Sequence, residues 1–339
     1  MEAEILKKLI LLLMVICLTG CSVKPQDSKT MCEFFSMDTV MTVTVYDGDE
    51  DAADAADAVK DEIIRLDNLL SISNKKGDIA NLNKNGGGEA SEDTVFLLKS
   101  ALELFESTGG AFDITVYPLA VLWGFHSHDY RVPTEDEVSE YLKLSGSDRV
   151  LISGSTVKLD AGMGLDLGGI AKGYASDRAA EILRNKGVQS AMVSLGGNIY
   201  ALGSNPNGRP WNVGIQHPAD ADGYIGVVSV SDMAVVTSGT YQRFFESDGK
   251  VYHHILDPET GYPSESGLCS VTILCENGTL ADGLSTALLV MGLDEALEFW
   301  KQGHYDFEAV FVTDDNEIYI TSGLEDCFTS NLPYEVVKP

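Results

Sequence analysis

Apolar residues recur every three to four positions in the first part of the chain, which is the spacing of amphipathic helices. One helix is predicted by Ala52, Ala56, Val59, Ile63, Leu66 and Leu70. The apolar side of a second helix, which ends at Gly109-Gly110, is predicted by Val95, Leu98, Leu102 and Phe105. Thr134 and Glu137 have the spacing of a capping box and predict a third helix after Pro133.

One strand pattern comes early in the chain, and strand patterns dominate from Val150 onward. Met41 to Tyr46 alternates as a half-buried strand. Further strand-like runs are Val157 to Leu159, Ala191 to Leu195, Trp211 to Ile215, Ile225 to Val230, Val251 to Leu256, Ser270 to Cys275 and Glu317 to Thr321. Two helical stretches interrupt them, Ile170 to Lys186 and about Asp282 to Trp300, the latter broken at Gly292. This mixed order predicts one large α+β unit rather than two separate domains.

The composition excludes two classes of partner. The 339 residues contain 52 Asp and Glu but only 23 Lys and Arg, a formal net charge of −29. Affinity for a polyanion needs clustered Lys and Arg, so the sequence predicts no nucleic-acid partner and no polybasic membrane patch. With 44% hydrophobic residues the chain has the composition of a globular protein.

The N-terminus has the pattern of a lipoprotein signal. Lys7-Lys8 precede an apolar run from Leu9 to Leu18, and Leu18-Thr-Gly-Cys21 resembles a bacterial lipobox. We therefore expect a signal peptide at 1–20, a lipidated Cys21 with a polar tether at 21–32, and the folded domain at 33–332. The protein would be anchored by lipid, acylated on the Cys21 sulfur, at the outer face of the cell membrane. The alternative is an ordinary secretory signal with a chance Cys.

The remaining cysteines give no metal spacing. Cys269 and Cys275 lie in one strand-like run, about 20 Å apart at 3.3 Å per residue, so they cannot bond each other. Structural thiols are favoured for Cys32, Cys269, Cys275 and Cys327, and their pairing is left open.

Asp166 to Gly173 is a glycine-rich segment at the start of a predicted helix. Its glycines let a ligand approach the backbone, and Lys172 stands beside the free N–H groups of the first helical turn. The segment predicts an anion site in a very acidic protein. The alternative is a glycine-rich helix start with a surface lysine.

Two other segments offer oxygen and imidazole ligands. Asp282 and Thr286 project from one face of a helix and suit Mg²⁺, which completes its shell with water and phosphate; the alternative is helix capping by Asp282. His253 and His254 face opposite sides of a strand, so at most one points into a site, where it could act as a general base. The alternative is one surface and one packed histidine.

Taken in order, the segments resemble those of the ApbE family, the Mg²⁺-dependent FAD:protein FMN transferases. The resemblance spans about Glu33 to Leu332. The motifs that carry it are Gly110 to Leu119 with Trp123-Gly-Phe125, Asp166 to Gly173, Val193 to Asn198, His254 to Pro258 and Ala281 to Thr286. It implies a single T-fold-like α+β unit with mixed or antiparallel sheets and flanking helices.

The resemblance also implies roles for individual residues. The residues implied to contact FAD are Met37, Ala111, Phe112, Asp113, Asp166, Lys172, Ile255 and Ser285. Mg²⁺ would be held by the carbonyl of Gly169 and the side chains of Asp282 and Thr286. His254 matches a catalytic histidine, and the sequence leaves open whether Lys172 or His254 takes the proton of the acceptor hydroxyl.

The implied reaction uses FAD as the substrate. The FMN moiety is transferred to a Thr or Ser hydroxyl of a partner flavoprotein through a phosphoester bond, and AMP leaves. The partners resemble subunits of membrane electron-transfer complexes. Ser285 stands where the family often has Asp, and Ser73 where it often has Tyr. Loss of that Tyr accompanies hydrolysis of FAD to FMN and AMP in some members, so hydrolysis is the alternative activity. A third reading is a non-catalytic FAD-binding lipoprotein.

Overall fold

The computed structural model describes residues 29–47 and 51–339. The predicted signal peptide and Cys21 lie outside the described residues. In these two ranges, no helix combines the length and the apolar character needed to cross a membrane.

Eight α-helices form in the described ranges. They are α1 (Ala52–Leu70), α2 (Asp78–Asn85), α3 (Glu92–Ser107), α4 (Tyr117–Trp123), α5 (Glu135–Leu142), α6 (Ala171–Asn185), α7 (Gly278–Met291) and α8 (Leu293–Gln302). The capping box of α5 is confirmed, because the Glu137 backbone N–H donates to the Thr134 hydroxyl and the Thr134 N–H donates to the Glu137 carboxylate. Helices α2 and α4 were not predicted from the sequence.

The strands form one large sheet and three small ones. They are β1 (Thr30–Ser36), β2 (Thr39–Val45), β3 (Gly87–Glu89), β4 (Leu151–Ser153), β5 (Thr156–Lys158), β6 (Ser190–Leu195), β7 (Asn198–Gly203), β8 (Trp211–His217), β9 (Asp220–Val230), β10 (Met233–Gly239), β11 (Phe244–Ser247), β12 (Lys250–His253), β13 (Leu268–Cys275), β14 (Glu308–Thr313), β15 (Ile318–Thr321), β16 (Phe328–Thr329) and β17 (Glu335–Val337). The nine-stranded sheet has the order β1-β2-β6-β7-β10-β13-β14-β15-β17, antiparallel except for β15 with β17. The small sheets are β3-β5-β4, β16-β9-β8 and the hairpin β11-β12.

The large sheet is covered on both faces, as neighbouring residues of β10 show. Val236 belongs to the core that α1, α3, α6 and α7 form on one face. Val235 belongs to a second core, which β8 and β9 complete on the other face. Successive side chains of a strand point to opposite faces, so a strand between two layers is apolar throughout. The predicted α+β class is confirmed.

The fold extends past the expected domain limits. Strand β1 begins at Thr30, inside the segment 21–32 that we expected to be a tether. Strand β17 ends at Val337 and pairs with β15, beyond the expected limit at Leu332. The alternation in β1 was missed because its outward positions include the exposed Met31 and Phe35.

Three predicted elements differ from the structure. The buried row of α3 is Thr94, Leu97, Leu98, Ala101 and Leu104. The predicted Val95, Leu102 and Phe105 are only partly buried, because the row that contains Leu104 packs on Gly283 of α7. Helix α7 begins at Gly278 rather than Asp282, and the strand predicted over Val251 to Leu256 ends at His253.

Helices α6 and α7 cross at two glycines, Gly173 and Gly278. A Cβ on Gly173 would lie 2.1 Å from the carbonyl oxygen of Gly278, so only glycine allows this approach. Asp177 of α6 then accepts hydrogen bonds from the backbone N–H groups of Gly278 and Thr279, at 2.7 and 2.8 Å. One helix therefore caps the N-terminus of the other, which fixes how they sit together.

The four cysteines in the described ranges form no disulfide with one another. Cys269 and Cys275 both lie on β13, as predicted. Burial raises the pKa of each thiol to about 11, so both are protonated and unreactive near neutral pH.

Candidate active site

Helix α7 carries Asp282, Ser285 and Thr286, which form an oxygen cluster together with Ser238 at the end of β10. The side chain of Asn277 caps this helix by accepting from the Leu280 N–H at 2.9 Å. Asp282 lies one turn further on, so it does not cap the helix and its carboxylate is available for another role.

The carboxylate of Asp282 is buried and held by two N–H donors. Its residue is only 3% exposed. The backbone N–H of Gly173 donates to Oδ2 at 2.8 Å, and Nδ2 of Asn198 donates to Oδ1 at 3.0 Å. Within the described ranges no lysine or arginine forms an ion pair with it. A buried carboxylate without a cationic partner is costly, which suits a site that takes up a cation.

The hydroxyl groups of the oxygen cluster form a chain in which each hydroxyl donates its proton to the next group. Ser285 Oγ donates to the carbonyl oxygen of Asp282 at 2.8 Å. Ser285 therefore accepts from Ser238 at 2.8 Å, and Ser238 in turn accepts from Thr286 at 3.2 Å, since each hydroxyl has one proton. Thr286 gives its proton to Ser238 and keeps its own lone pairs. It is half-buried, whereas Ser285 is fully buried behind it.

Gly169 lies directly against this cluster. A Cβ at Gly169 would be 3.4 Å from Thr286 Oγ1 and 3.1 Å from the ring of Phe112. No group of three or more His, Cys, Asp or Glu side chains that could hold a metal occurs in the part of the chain that the structure describes. One carboxylate and one hydroxyl beside the backbone of a glycine are the sparse oxygen set that Mg²⁺ uses with substrate phosphate, so these residues fit that ion.

The basic cluster consists of Lys172, Arg243 and His254. Lys172 lies in the first turn of α6 and donates to the carbonyl oxygen of Gly168 at 3.3 Å. His254 follows β12 directly, and its Nδ1 lies 3.1 Å from the carbonyl oxygen of Arg243. A carbonyl only accepts, so Nδ1 carries the proton and Nε2 keeps a lone pair.

His254 is neutral near pH 7. Burial lowers its pKa to about 4, and the positive charges of Arg243 and Lys172 act in the same direction. His253 is the packed histidine of the pair: its residue is buried, and Nε2 lies 2.9 Å from the carbonyl oxygen of Ser264. The two histidines therefore have different surroundings, as the alternation predicted.

Asp166 connects the basic cluster to a residue that the sequence reading missed. Its Oδ1 accepts from the Gly168 N–H at 2.8 Å, and its Oδ2 lies 3.1 Å from Nε2 of His126. Burial acts to raise the pKa of Asp166, but His126, the Gly168 N–H and the charge of Arg243 outweigh it and hold the pKa below its ordinary value. The carboxylate is therefore ionised.

The loop from Ala111 to Asp113 is held in shape by hydrogen bonds to the buried carboxylate of Asp113. Asp113 is buried, and its Oδ1 accepts from the backbone N–H and hydroxyl of Thr115 and from the hydroxyl of Ser147, each at 2.6 Å. Phe112 is buried, and Ala111 is half-buried. The carboxylate of Asp113 thus shapes the loop, while its contact with FAD stays a prediction.

Met37 and Ile255 are the remaining residues predicted to contact FAD. Met37 occupies the tight turn between β1 and β2 with φ 46°, and its N–H donates to Asp67 Oδ2 at 2.9 Å. Thr39, the first residue of β2, packs against Gly196, two residues before the Asn198 that holds Asp282. Ile255 is buried beside His254. Their contact with FAD also stays a prediction.

Sequence reasoning did not single out Arg243, Ser238 or His126. Arg243 could have been found from Asp248-Gly249, a dipeptide typical of two-residue hairpin turns. Pairing outward from that turn joins Ser247 to Lys250 and Phe244 to His253. One further step places Arg243 opposite His254. His126 and Ser238 depend on contacts between distant segments and gave no local signal.

Comparison with known proteins gives one consistent result. The profile of the ApbE family matches residues 37–311. A Klebsiella pneumoniae protein named FAD:protein FMN transferase is 35% identical over 77% of this chain and 82% of its own length. A Treponema pallidum protein of the same name is 35% identical over 76% of each chain. The crystal structure of an ApbE protein from Thermotoga maritima superposes with a TM-score of 0.82 at 35% identity, over 88% of this chain and 98% of that one.

Proposed function

Because the chain belongs to the ApbE family, we propose that it transfers the FMN moiety of FAD to a threonine or serine hydroxyl of a partner flavoprotein. The reaction would require Mg²⁺ and release AMP. Flavin transfer follows from the relatives' shared name, FAD:protein FMN transferase. The observation that carries the rest is the position of the buried, cation-free Asp282 carboxylate next to the segment that bears Lys172.

Mg²⁺ would be held by Asp282, Thr286 and the carbonyl of Gly169. When bound, it neutralises charge on phosphate oxygens and makes the phosphorus easier to attack. The hydrogen bonds from Gly173 and Asn198 keep the Asp282 carboxylate in one orientation, and the hydroxyl chain leaves the lone pairs of Thr286 free. These residues are thus arranged before any ligand arrives.

The protein's own groups account for the movement of bonds and protons. Lys172 binds the pyrophosphate through its charge, because the N–H groups of Ala171 and Gly173 in the first turn of α6 are already bonded to Leu167 and Asp282. The acceptor oxygen attacks the FMN-side phosphorus, forms a P–O bond, and breaks the bond to the bridging oxygen, which leaves with AMP. Nε2 of His254 accepts the hydroxyl proton, because its Nδ1–H is fixed on the Arg243 carbonyl.

Anionic FAD also changes the base. Burial is the main cause of the low pKa of His254 in the free protein, and the charges of Arg243 and Lys172, which the phosphates of FAD compensate, add to it. Binding of FAD therefore raises the pKa of His254 and makes the imidazole a stronger base when a substrate is in place.

The experiment mixes the purified protein with FAD, Mg²⁺ and a partner domain that carries an acceptor threonine. AMP is measured by chromatography, and covalent flavin by fluorescence of the denatured partner. Flavin on the partner with one AMP released supports transfer. AMP and FMN without a partner support hydrolysis, the activity suggested by the exposed Ser73. FAD binding without AMP in either mixture refutes both enzymatic readings.

Removal of the metal gives a second test of the same proposal. Chelation of Mg²⁺ with EDTA should weaken FAD binding sharply, because Asp282 then repels the pyrophosphate in an already acidic protein. Flavin fluorescence titration measures the affinity. An unchanged Kd for FAD in EDTA would contradict the role of the cation.

The location and the partner class are further parts of the proposal. Lipidation at Cys21 would hold the enzyme at the outer face of the membrane, where a flavoprotein subunit of an electron-transfer complex would be the acceptor. A Cys21→Ser variant should move from the membrane to the soluble fraction of cells. A variant that still sediments with membranes would show that Cys21 is not the anchor.

A further inference from the structure

Two basic residues of the described ranges are half-buried without an ion pair. Five described lysines and arginines are half-buried. Lys60, Arg149 and Arg178 each contact a carboxylate. The other two, Lys172 and Arg243, do not, and both lie beside His254. In a chain with 52 acidic residues, two such exceptions in one place indicate a site built to receive an anion.

Arg243 is held in place by a packed hairpin. Its carbonyl oxygen accepts from the His254 N–H at 3.0 Å and faces Nδ1 of the same residue at 3.1 Å. The next residues of the hairpin, Phe245 and Tyr252, stack at 5.3 Å and pack on Trp123. The backbone of Arg243 is therefore as fixed as that of His254.

The guanidinium has no acid to neutralise it within the described ranges. Asp166 is close enough for the charge of Arg243 to lower its pKa, but the two groups form no ion pair. The oxygens of Asp166 are instead occupied by the Gly168 N–H and by the approach of His126. A partly desolvated guanidinium with free N–H donors offers a fork that fits two phosphate oxygens.

We propose that Arg243 is a second phosphate-binding residue, which holds the pyrophosphate of the dinucleotide substrate together with Lys172. This inference rests on the proposed function. Lys172 supplies a point charge from the start of α6, and Arg243 supplies planar, bidentate donors from the hairpin that also carries His254. Arg243 thus orients the His254 ring with its backbone carbonyl and binds the substrate with its side chain.

The experiment compares Arg243→Met with Arg209→Met, because Arg209 likewise forms no ion pair with another described residue but is exposed. The Kd values of FAD and of riboflavin, which has no phosphate, are measured in Mg²⁺ by flavin fluorescence. Arg243→Met should weaken FAD binding by about 10- to 100-fold and leave riboflavin binding unchanged. Arg243→Lys should recover part of the loss, and Arg209→Met should bind FAD as the wild type does.

A second measurement, made without flavin, tests whether the Arg243 side chain lies near His254. The pKa of His254, followed by NMR of its ring protons, should rise in Arg243→Met because a neighbouring positive charge is lost. An unchanged pKa of His254, or an equal loss of FAD and riboflavin affinity, would overturn the inference. Wild-type protein that fails to bind FAD would refute the proposed function itself, whereas tight FAD binding by both wild type and Arg243→Met would refute only the role of Arg243.

Discussion

The oxygen cluster and the basic cluster are neighbours built in opposite ways. Asp282 and Ser285 are buried on regular secondary structure, and every group of the oxygen cluster has a hydrogen-bond partner. The basic cluster lies on a first helical turn and a hairpin, is half-buried, and leaves two cations without a carboxylate. A metal needs ligands fixed beforehand, whereas a charged substrate binds best where charge is still uncompensated.

Asp282→Asn is expected to have the largest effect, and it changes the oxygen cluster without changing a residue of the basic cluster. The amide keeps the shape but loses the charge, so Mg²⁺ binding measured by calorimetry should disappear. AMP release should fall by at least about 1000-fold, which corresponds to about 4 kcal/mol of transition-state stabilisation. The exposed Glu298→Gln of α8 is the control. Near-normal turnover in Asp282→Asn would mean that the cation is held elsewhere.

His254 tests the basic cluster through the pH dependence of stability. Its pKa is about 4 in the folded protein and about 6.5 in an unfolded chain. As pH falls from 6.5 to 4, the unfolded state takes up a proton that the folded state refuses, so the free energy of unfolding falls, by up to about 3 kcal/mol. Above pH 6.5 this contribution is constant.

Urea unfolding of wild type and His254→Gln between pH 7 and 4 measures this effect. The variant should lose less stability on acidification than the wild type, and His304→Gln, at an exposed histidine, should follow the wild type. His253 also has a lowered pKa but is present in all three proteins, so it cancels. Parallel curves for wild type and His254→Gln would contradict the lowered pKa.

Trp123→Phe tests whether the packing beneath the hairpin supports the basic cluster but not the oxygen cluster. Trp123 is fully buried, and its Nε1–H donates to the carbonyl oxygen of Gly261 at 2.9 Å. Loss of this bond should reduce the free energy of unfolding by about 1–3 kcal/mol. FAD affinity should drop severalfold while Mg²⁺ affinity stays. Trp300→Phe, in the main core, should lower stability without changing either affinity; equal changes in both variants would remove the special role of the hairpin.

The narrowest effect is expected from Ser238→Ala, which should change only the affinity for Mg²⁺. This change removes the hydroxyl that accepts from Thr286, so Thr286 can rotate and Mg²⁺ affinity should fall about tenfold. Thr237→Val is the matched control, because the Thr237 hydroxyl contacts Thr272 on the neighbouring strand instead. Equal Mg²⁺ affinities in Ser238→Ala and the wild type would show that Thr286 needs no support.

The sequence predicted the residues that act within one motif and missed those that act between motifs. Asp282 and Thr286 were found because four positions on a helix share a face, and Lys172 because a glycine-rich helix start is a local pattern. Ser238 reaches the same site from β10, whose position beside α7 depends on the whole sheet. No spacing along the chain contains that information.

The fold shows the same limit. Helices α1 and α6 were predicted almost to the residue from their apolar stripes, and the start of α5 from its capping box, because these signals are local. The face of α3 was wrong because Val95 and Thr94 belong to two adjacent rows that both contain apolar residues. Only the packing of Leu104 on Gly283 decides between the rows.

The crossing of α6 and α7 limits which amino-acid substitutions this protein can accept during evolution. A Cβ on Gly278 would lie 2.2 Å from the hydroxyl oxygen of Ser176, and one on Gly173 would meet Gly278, so neither position tolerates any side chain unless the helices separate. Lys172 precedes one glycine, and Asp282 lies one turn after the other. Selection on the spacing between a phosphate ligand and a cation ligand therefore falls on two residues that carry no charge.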